Sequence, residues 1–255
     1  MMPLATPFGG EKTGDDPHWD KVVLLANMNG ANASTTFIDS SPNFATANGD
    51  AKVTNPVTLF GDAVGAIDGT GDFINLPYLP DYDVGSSNFT IEYWFKCGSI
   101  SVGQVHFDWR DTAAAKGILI SQSSANPSKV TAFIGDSNVT GWEVTIIGTT
   151  TLVVGTMYHV RLVKKGTNLQ LYLQGATQGS ATSSVVPYIN SSDIRFGASR
   201  DGSAGFNGNA ADLMISNVAR NSSGFTPPSA RLVADANTLV LIPMNGENNS
   251  VLFEN

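Results

Sequence analysis

The stretch FTIEYWFK, at residues 89–96, carries the pattern that decides the fold. Successive side chains of a β-strand point to opposite faces of the sheet, so every second residue shares a face. On one face fall Phe89, Ile91, Tyr93 and Phe95, and on the other fall Thr90, Glu92, Trp94 and Lys96. The pattern therefore predicts a strand with one face packed into a core.

Segments of the same kind fill most of the remaining chain. More than a dozen short runs rich in β-branched and aromatic residues are separated by turn signals about every ten residues. No segment keeps a helical period for more than about two turns. The 26 Gly, 12 Pro and only 14% charged residues in 255 are typical of many strands joined by tight turns. The sequence predicts an all-β protein, a two-sheet antiparallel sandwich.

A second pattern is a motif that occurs near both ends of the chain. VLLANMNGANASTTFID at 23–39 aligns without a gap with LVLIPMNGENNSVLFEN at 239–255, at an offset of 216 and with seven identities. Two copies are too few for a solenoid, whose repeats need stacked neighbours. Each copy predicts a strand closed by an Asn-Gly turn. Either the end strands pair in one sheet, or the second copy opens another domain.

These patterns divide the chain into an extended arm at 1–20, a jelly roll at 21–230 and a C-terminal strand at 231–255 that repeats the N-terminal motif. The arm is rich in Pro, Gly and charge, and has few apolar groups to offset a backbone ordering cost of about 1–2 kcal/mol per residue. We therefore expect it to order only against a neighbouring subunit, as an anchor in a homo-oligomer. A loosely ordered leader is the alternative.

Several stretches together resemble the laminin-G-like or concanavalin A-like jelly rolls of bacterial and phage proteins. They include LFGDAVGAIDGTGDFINLP at 59–77, FTIEYWFK, TMYHVRLVKKGTNLQLYLQG at 156–175 and the closing segment FGASRDGSAGFNGNAADLMISNVARNSSGFTPPSA at 196–230. The likeness covers residues 18 to about 230. It implies the jelly-roll fold, and with it a protein that binds glycans or other proteins, in many members alongside a calcium site. Gln174-Gly175 departs from the family's usual Asn-Gly hairpin, a weaker signal for a type I′ turn.

Composition excludes several functional classes. A net charge of −8, from 14 basic and 22 acidic residues, argues against nucleic acid as a partner, because that affinity rests on clustered Lys and Arg. No stretch approaches the roughly 20 apolar residues of a membrane span, so no membrane partner is expected. Cys97 is the single cysteine, which excludes an intrachain disulfide, and the N-terminus has no secretory signal pattern.

Enzyme chemistry finds no support in the spacing of the polar residues. A retaining glycosidase needs two carboxyl groups about 5–5.5 Å apart, and Glu92 and Glu143 each stand alone on a predicted strand. The three histidines have no zinc-binding spacing, and a Gly-x-Ser-x-Gly elbow is absent. We therefore expect no enzymatic activity, and we interpret Glu92 as a structural carboxylate that hydrogen-bonds a loop.

Binding residues are more plausible. Trp94 shares a strand face with Glu92, and Asp108, Trp109 and Arg110 end a strand in a charged, aromatic loop. A flat apolar face beside fixed polar groups suits a sugar, although tryptophans of a large sandwich more often lie in its core.

The Gly-rich loop at 200–209 adds three more candidate ligand residues, Arg200, Asp201 and Asn207. Its oxygens, like those of Asp68 and Asp72, suggest calcium, but the spacing matches no fixed calcium loop and a plain turn-rich connection is the favoured interpretation. No cofactor is otherwise expected.

Three functional hypotheses follow. The fold is typical of proteins that act outside cells, yet no export signal is visible. A virion reconciles these facts, because phage proteins are made in the host cytoplasm and released by lysis. The first hypothesis is a phage tail-fibre, baseplate or capsid-surface protein, located in the virion, that contacts other virion proteins or a host-surface glycan. The alternative is a bacterial surface or secreted glycan-binding module, and a glycoside hydrolase is the third.

Overall fold

The computed structural model describes residues 45–111, 116–136, 141–189 and 191–244. Within them the chain forms fifteen β-strands and a short 3-10 turn at Pro80–Tyr82. The strands are β1 (Thr46–Asn48), β2 (Lys52–Leu59), β3 (Asp62–Asp68), β4 (Phe73–Leu76), β5 (Phe89–Cys97), β6 (Gln104–Trp109), β7 (Gly117–Gln122), β8 (Val130–Gly135), β9 (Val144–Ile147), β10 (Met157–Lys165), β11 (Asn168–Leu173), β12 (Ala176–Thr182), β13 (Ile194–Phe196), β14 (Asn207–Ser216) and β15 (Thr238–Ile242). No helix among the described residues is long and apolar enough to cross a membrane.

The strands form two antiparallel sheets. The seven-stranded sheet has the order β1-β4-β13-β6-β7-β8-β9. The eight-stranded sheet has the order β12-β11-β10-β5-β14-β3-β2, and β15 also pairs with β14. One continuous apolar cluster joins the facing sides of the two sheets. The predicted all-β, two-sheet antiparallel sandwich is confirmed.

Strand β5 is central to the eight-stranded sheet, where it pairs with β10 and β14. Ile91, Tyr93 and Phe95 are fully buried in the shared core, as their alternation predicts. Glu92 and Trp94 point to the opposite face, but they are buried as well, with 1% and 6% of their surface exposed. The segment after β14 lies over this face, where Phe225 packs against His159 of β10 and Tyr172 of β11. The outer face of the eight-stranded sheet is therefore covered at its centre.

Two tight hairpins refine the sequence-based strands. Residues 57–68 fall on two strands, because the chain reverses at Phe60-Gly61, where both residues have positive φ (55° and 94°). The β11–β12 hairpin turns at Gln174-Gly175, also with positive φ at both residues (51° and 74°), as a type I′ turn requires. Gln174 differs from the usual Asn for a visible reason, since its side-chain oxygen accepts a hydrogen bond from the backbone N–H of His159 at 2.7 Å.

The C-terminal copy of the repeated motif begins as the predicted strand. β15 pairs with β14 in the sheet of the jelly roll. The N-terminal copy at 23–39, the arm at 1–20 and the remainder of the C-terminal copy after 244 lie outside the described residues. The prediction that both copies form the same strand and turn is therefore tested, and confirmed, only for the strand at Thr238–Ile242.

Candidate functional site

The outer face of the seven-stranded sheet carries a register-aligned row of side chains, which we call the cross-sheet row. One residue from each strand pairs directly with the next, in the order Thr46, Asn75, Arg195, Asp108, Leu119, Phe133 and Thr145. Their neighbours along each strand belong to the core, so alternation turns the row outward. Adjacent strands lie about 4.8 Å apart, so the row extends for roughly 29 Å. Thr46 and Asn75 make one edge of the row polar. Arg195 and Asp108 form its charged centre, and Leu119 and Phe133 form an apolar part beside that centre.

Asp108 organises the charged centre of the row. Its carboxylate is fully buried and accepts hydrogen bonds from Arg110 Nε at 2.8 Å and Nη2 at 2.5 Å. The same carboxylate also accepts the backbone N–H of Arg200 at 2.7 Å. Such bidentate, charge-assisted bonds are among the strong ones, and they fix the guanidinium of Arg110 in one orientation.

Two further arginines surround this centre. The Nη1 of Arg195 donates to the carbonyl oxygens of Arg200 at 2.7 Å and Ser199 at 3.3 Å, and its guanidinium lies 4.7 Å above the Phe73 ring. Arg200 Nη2 donates to the carbonyl oxygen of Asp193. The Nε atoms of both arginines are buried and have no hydrogen-bond partner among the described residues. Burial lowers the pKa of Arg200, and the nearby charges of Asp108 and Asp193 oppose that shift while those of Arg195 and Arg110 add to it.

The loop before β13 is held against this centre. One carboxylate oxygen of Asp193 accepts from the side-chain amide of Asn75 at 3.1 Å, and the other accepts the backbone N–H of Tyr78 at 3.0 Å. Both acidic groups nearest the arginines are therefore engaged in fixed hydrogen bonds. The three guanidinium groups are held in place by the protein rather than by solvent.

An apolar platform lies next to the charged centre. Leu119 and Phe133 follow Asp108 along the row, one and two strands away. The Phe133 ring packs against that of Trp142 with 5.2 Å between centroids and 39° between planes, and both side chains are partly exposed. Aromatic side chains of this kind combine a large apolar area with a rigid, flat surface. The face thus carries the partly exposed Phe133–Trp142 pair about two strand spacings, roughly 10 Å, from the arginine centre at Asp108.

The structure brings together four of the predicted ligand residues. Asp108, Arg110 and Arg200 are joined by direct hydrogen bonds. Asp201 is exposed beside them, and hydrogen bonds from Ser199 and Ser203 hold its pKa well below the ordinary value.

The other four predicted residues lie elsewhere. Trp109 is fully buried on the core side of β6, where its Nε1 donates to the Ser192 carbonyl at 3.0 Å. Glu92 and Trp94 are buried on the other sheet, so they offer no surface on which a sugar could stack. Asn207 lies at the start of β14, where it pairs with Asp68 and donates its N–H to Gln104 at 2.7 Å.

Glu92 has a different partner from the one its sequence position suggested. Instead of a loop, it accepts hydrogen bonds from Arg161 of the neighbouring strand at 2.9 Å (Nε) and 2.6 Å (Nη2), and His159 Nε2 lies 3.1 Å away. Burial alone would raise the pKa of Glu92, but His159 and Arg161 outweigh it and lower that pKa below its ordinary value. Glu92 is therefore a structural residue, a buried carboxylate that pairs with Arg161 and His159.

Sequence reasoning missed Arg195, Phe133 and Trp142. Each of the first two stands between core residues of its own strand, as in Ile194-Arg195-Phe196, so alternation alone would have placed both on the outer face. The sequence does not show that Arg195 and Phe133 belong to one row, because their strands, β13 and β8, are far apart in sequence and are joined only through β6 and β7.

A group of acidic residues at another edge was tested as a calcium site. Ligand atoms of Asp50, Asp68 and Asp72 lie within 4.8 Å of one another. Calcium takes six to eight oxygens, and both oxygens of the buried Asp72 already accept backbone N–H groups, of Asp50 at 2.7 Å and of Asp68 at 3.0 Å. The described residues do not complete a calcium shell here, and the loop at 200–209 has the hydrogen bonds of an ordinary turn.

Comparison with known proteins places the chain in a family. Residues 68–223, more than half of the chain, match the Laminin_G_3 model, described as the concanavalin A-like lectin/glucanases superfamily. The chain therefore belongs to this superfamily, as the resemblance of its strands predicted. A search of curated proteins found no match.

Solved structures with a similar fold include three binding proteins or binding domains. The first is a putative carbohydrate binding protein from Bacteroides ovatus ATCC 8483, with 12% identity and a TM-score of 0.57 over 72% of this chain and 52% of that one. The second is the binding domain of Paraclostridial Mosquitocidal Protein 1, with 14% identity and a TM-score of 0.56 over 78% of this chain and 49% of that one. The third is the binding domain of botulinum neurotoxin DC in complex with SialylT, with 16% identity and a TM-score of 0.54 over 79% and 49%. At these identities the likeness shows the fold alone, and this chain spans about half the length of those structures.

Proposed function

We propose that this protein is a non-enzymatic glycan-binding module and that it binds saccharides along the cross-sheet row. The observation that carries the proposal is the alignment of the Phe133–Trp142 platform with the arginine centre at Asp108. A sugar ring has an apolar face that stacks on aromatic side chains, and hydroxyl groups that need fixed donors and acceptors. The row supplies both over a length of several sugar units.

The bacterial alternative has more support than the virion hypothesis. The Bacteroides ovatus structure is described as a putative carbohydrate binding protein, whereas none of the three structures compared above is described as a phage protein. We therefore propose a bacterial surface or secreted module as the setting. Assembly in a virion is a further hypothesis that rests on the resemblance alone, and genome neighbourhood is its test.

A binding role suits the row better than hydrolysis, even though the superfamily includes glucanases. Hydrolysis would require a carboxyl group free to donate or accept a proton at the bound sugar. Asp108 is instead fully buried, and both of its carboxylate oxygens accept hydrogen bonds from arginines. Glu143 directly precedes β9, and its carboxylate accepts a hydrogen bond from the Ser183 hydroxyl at 2.7 Å. We expect no turnover in a broad polysaccharide panel. Hydrolysis that Asp108→Asn or Glu143→Gln abolishes would overturn this part of the proposal.

The binding itself is tested with a glycan array followed by calorimetry on the saccharides that bind. Trp142→Ala removes the platform and should weaken binding at least tenfold, because aromatic contacts dominate such sites. Arg195→Lys should also weaken binding, since Lys cannot reproduce the planar fork of donors. Trp142 is not part of the apolar core, so Trp142→Ala should change the melting temperature little. Arg195→Lys removes hydrogen bonds to the carbonyls of Ser199 and Arg200, so its affinity is measured at a temperature where circular dichroism shows it to be folded.

Phe60→Ala is the matched control for the platform. Phe60 is an exposed aromatic residue, with 44% of its surface accessible, but it lies at the β2–β3 hairpin of the other sheet. Its replacement should leave saccharide affinity unchanged. Equal affinity in the Trp142→Ala and wild-type proteins, or a loss of affinity only in Phe60→Ala, would reject the cross-sheet row as the binding face.

A further inference from the structure

The position of β15 in the eight-stranded sheet has the features of a binding slot for an extended segment. β15 is an additional strand beside the second half of β14, in antiparallel register with Leu213–Ser216. Val240, Ile242 and Met244 enter the shared core and are fully buried. Leu241 points to the opposite face and is 4% exposed. The slot therefore selects apolar side chains at four positions.

At Pro243 the contacts of this slot reach only the backbone of the segment that fills it, whereas at Thr238 they also reach the side-chain hydroxyl, which contacts Arg220 and Met214. The N–H of Asp212 donates to the Pro243 carbonyl at 3.2 Å. Arg231 also donates to that carbonyl and to the carbonyl of Ala63 at 3.3 Å, while its Nε lies 2.9 Å from the Asp212 carboxylate. A carbonyl group is present at every position of any chain. The clamp formed by Arg231 and Asp212 would therefore hold any segment that satisfies the four apolar positions.

The N-terminal copy of the repeated motif satisfies these positions. At the constant offset of 216, the four buried residues of the C-terminal copy correspond to Leu24, Leu25, Ala26 and Met28. All four are apolar. The same two residues, Leu and Met, occur in both copies at the second and fourth positions.

The methionine position is the most specific of the four. A Cβ atom built on Gly65 of β3 would lie 3.3 Å from the Met244 sulfur, so the missing side chain of Gly65 makes room for this thioether. Met28 brings the same side chain to the same place in the motif. Ala26, in contrast, would leave empty part of the space that Ile242 fills, which makes β15 the preferred occupant.

We propose that the slot beside β14 is a strand-exchange site, and that residues 22–28 occupy it when β15 leaves. The C-terminal copy is then free to enter the slot of another molecule, which turns the duplicated motif into a means of assembly. The inference does not depend on glycan binding. It commits to residues 22–28 as the second occupant.

The first test measures coupling between the two copies in the full-length chain. Val240→Asp places a charge at a core position of β15, and Leu24→Asp makes the same change at the equivalent position of the other copy. If residues 22–28 replace an expelled β15, Leu24→Asp should lower the urea midpoint clearly in the Val240→Asp background and hardly at all in the wild type. Ala33→Asp adds the same charge outside residues 22–28 and should show no such dependence. Equal effects of Leu24→Asp in both backgrounds would overturn the proposal.

A second test remains informative if Val240→Asp prevents folding. Met214 and Leu241 are directly paired, so Met214→Cys with Leu241→Cys should form a disulfide and serve as the positive control. Cys97→Ser removes the native thiol, which is buried. In the same background, Met214→Cys with Leu25→Cys should accumulate a disulfide slowly under oxidising conditions, as exchange exposes the slot. A cross-linked monomer or a cross-linked oligomer both support residues 22–28 as the occupant, and failure to cross-link while the control reacts would reject it.

Discussion

At the scale of single residues, the buried pair of Glu92 and Arg161 is the most consequential polar contact away from the proposed binding face. Both side chains are almost fully buried, and removing one partner of such a pair leaves an uncompensated charge. We expect Glu92→Gln to lower the free energy of unfolding by about 3–5 kcal/mol, measured by urea denaturation. The double variant Glu92→Gln/Arg161→Gln should recover part of that loss, because no unpaired charge then remains. A Glu92→Gln protein as stable as the wild type would contradict this assignment.

The same residues show what sequence could and could not predict at this scale. The alternation of FTIEYWFK correctly placed Tyr93 in the core and Glu92 on the opposite face. Burial of that opposite face could not be foreseen, because it depends on Phe225, which is far away in sequence and lies in a stretch without strand periodicity. Its ring lies 3.8 Å from the Arg161 guanidinium. Local periodicity predicts which face of the sheet a side chain is on. Whether another segment buries that face depends on residues far away in the sequence.

At the scale of elements, the β11–β12 hairpin links a local turn to the cover of the sheet. Gly175 has a φ of +74°, and an added Cβ would lie 1.7 Å from the carbonyl oxygen of Phe225. Gly175→Ala therefore combines an unfavourable backbone conformation with displacement of the segment that carries Phe225. We expect a loss of about 2–4 kcal/mol in unfolding free energy. Tryptophan fluorescence should change as well, because Trp94 packs against His159, which Phe225 contacts.

Gly155→Ala is the control for this hairpin substitution. Gly155 also has a positive φ, +80°, but its added Cβ would have no neighbour within 4 Å. It should lose only the backbone contribution, about 1 kcal/mol, with no change in fluorescence. If the two variants were equally stable, steric contact with the Phe225 carbonyl would not be what makes glycine necessary at 175.

Most elements of the sandwich could be predicted from the sequence, since hydrophobic periodicity and turn residues act locally. Phe60-Gly61 was overlooked as a hairpin because only one of its residues is a turn former, yet both adopt positive φ. The order of strands within each sheet was not predictable from one sequence. For that reason the cross-sheet row, which depends on the neighbours β13, β6, β7 and β8, could be recognised only in the structure.

At the scale of the whole molecule, the two sheets differ in what their outer faces can do. The eight-stranded sheet buries the Glu92–Arg161 pair beneath Phe225 of the segment that follows β14, and it buries Trp94 against Leu59, Val64 and Phe60. The seven-stranded sheet carries its arginines and its partly exposed Phe133–Trp142 platform on the outer side. A ligand on the seven-stranded face and an exchanged strand at the β14 edge would therefore occupy different sheets. Binding and assembly can proceed without competing for surface.

Acid stability is a property of the whole fold to which one buried core histidine contributes. His106 is fully buried, and its ring nitrogens contact Tyr93 Oη and Gln122 Oε1, each at 3.1 Å. Burial lowers its pKa from 6.5 to about 4, against a smaller opposing effect of the Gln122 hydrogen bond. The unfolded chain therefore binds a proton more readily than the folded one. The stability that neutral His106 contributes is complete above about pH 6.5 and is lost as the pH falls towards 4, an effect of about 3 kcal/mol.

The Asp212 carboxylate acts in the opposite direction over part of this range. Burial raises its pKa to about 6 despite the nearby charge of Arg231, so its ionisation costs stability above that pH and protonation relieves the cost on acidification. Comparing the wild type with His106→Gln cancels this contribution, because both proteins carry Asp212. We expect the difference in unfolding free energy between the two proteins to shrink by about 3 kcal/mol between pH 7 and pH 4, measured by urea denaturation in steps of half a pH unit. A difference that stays constant across this range would show that His106 does not titrate differently in the folded and unfolded chains.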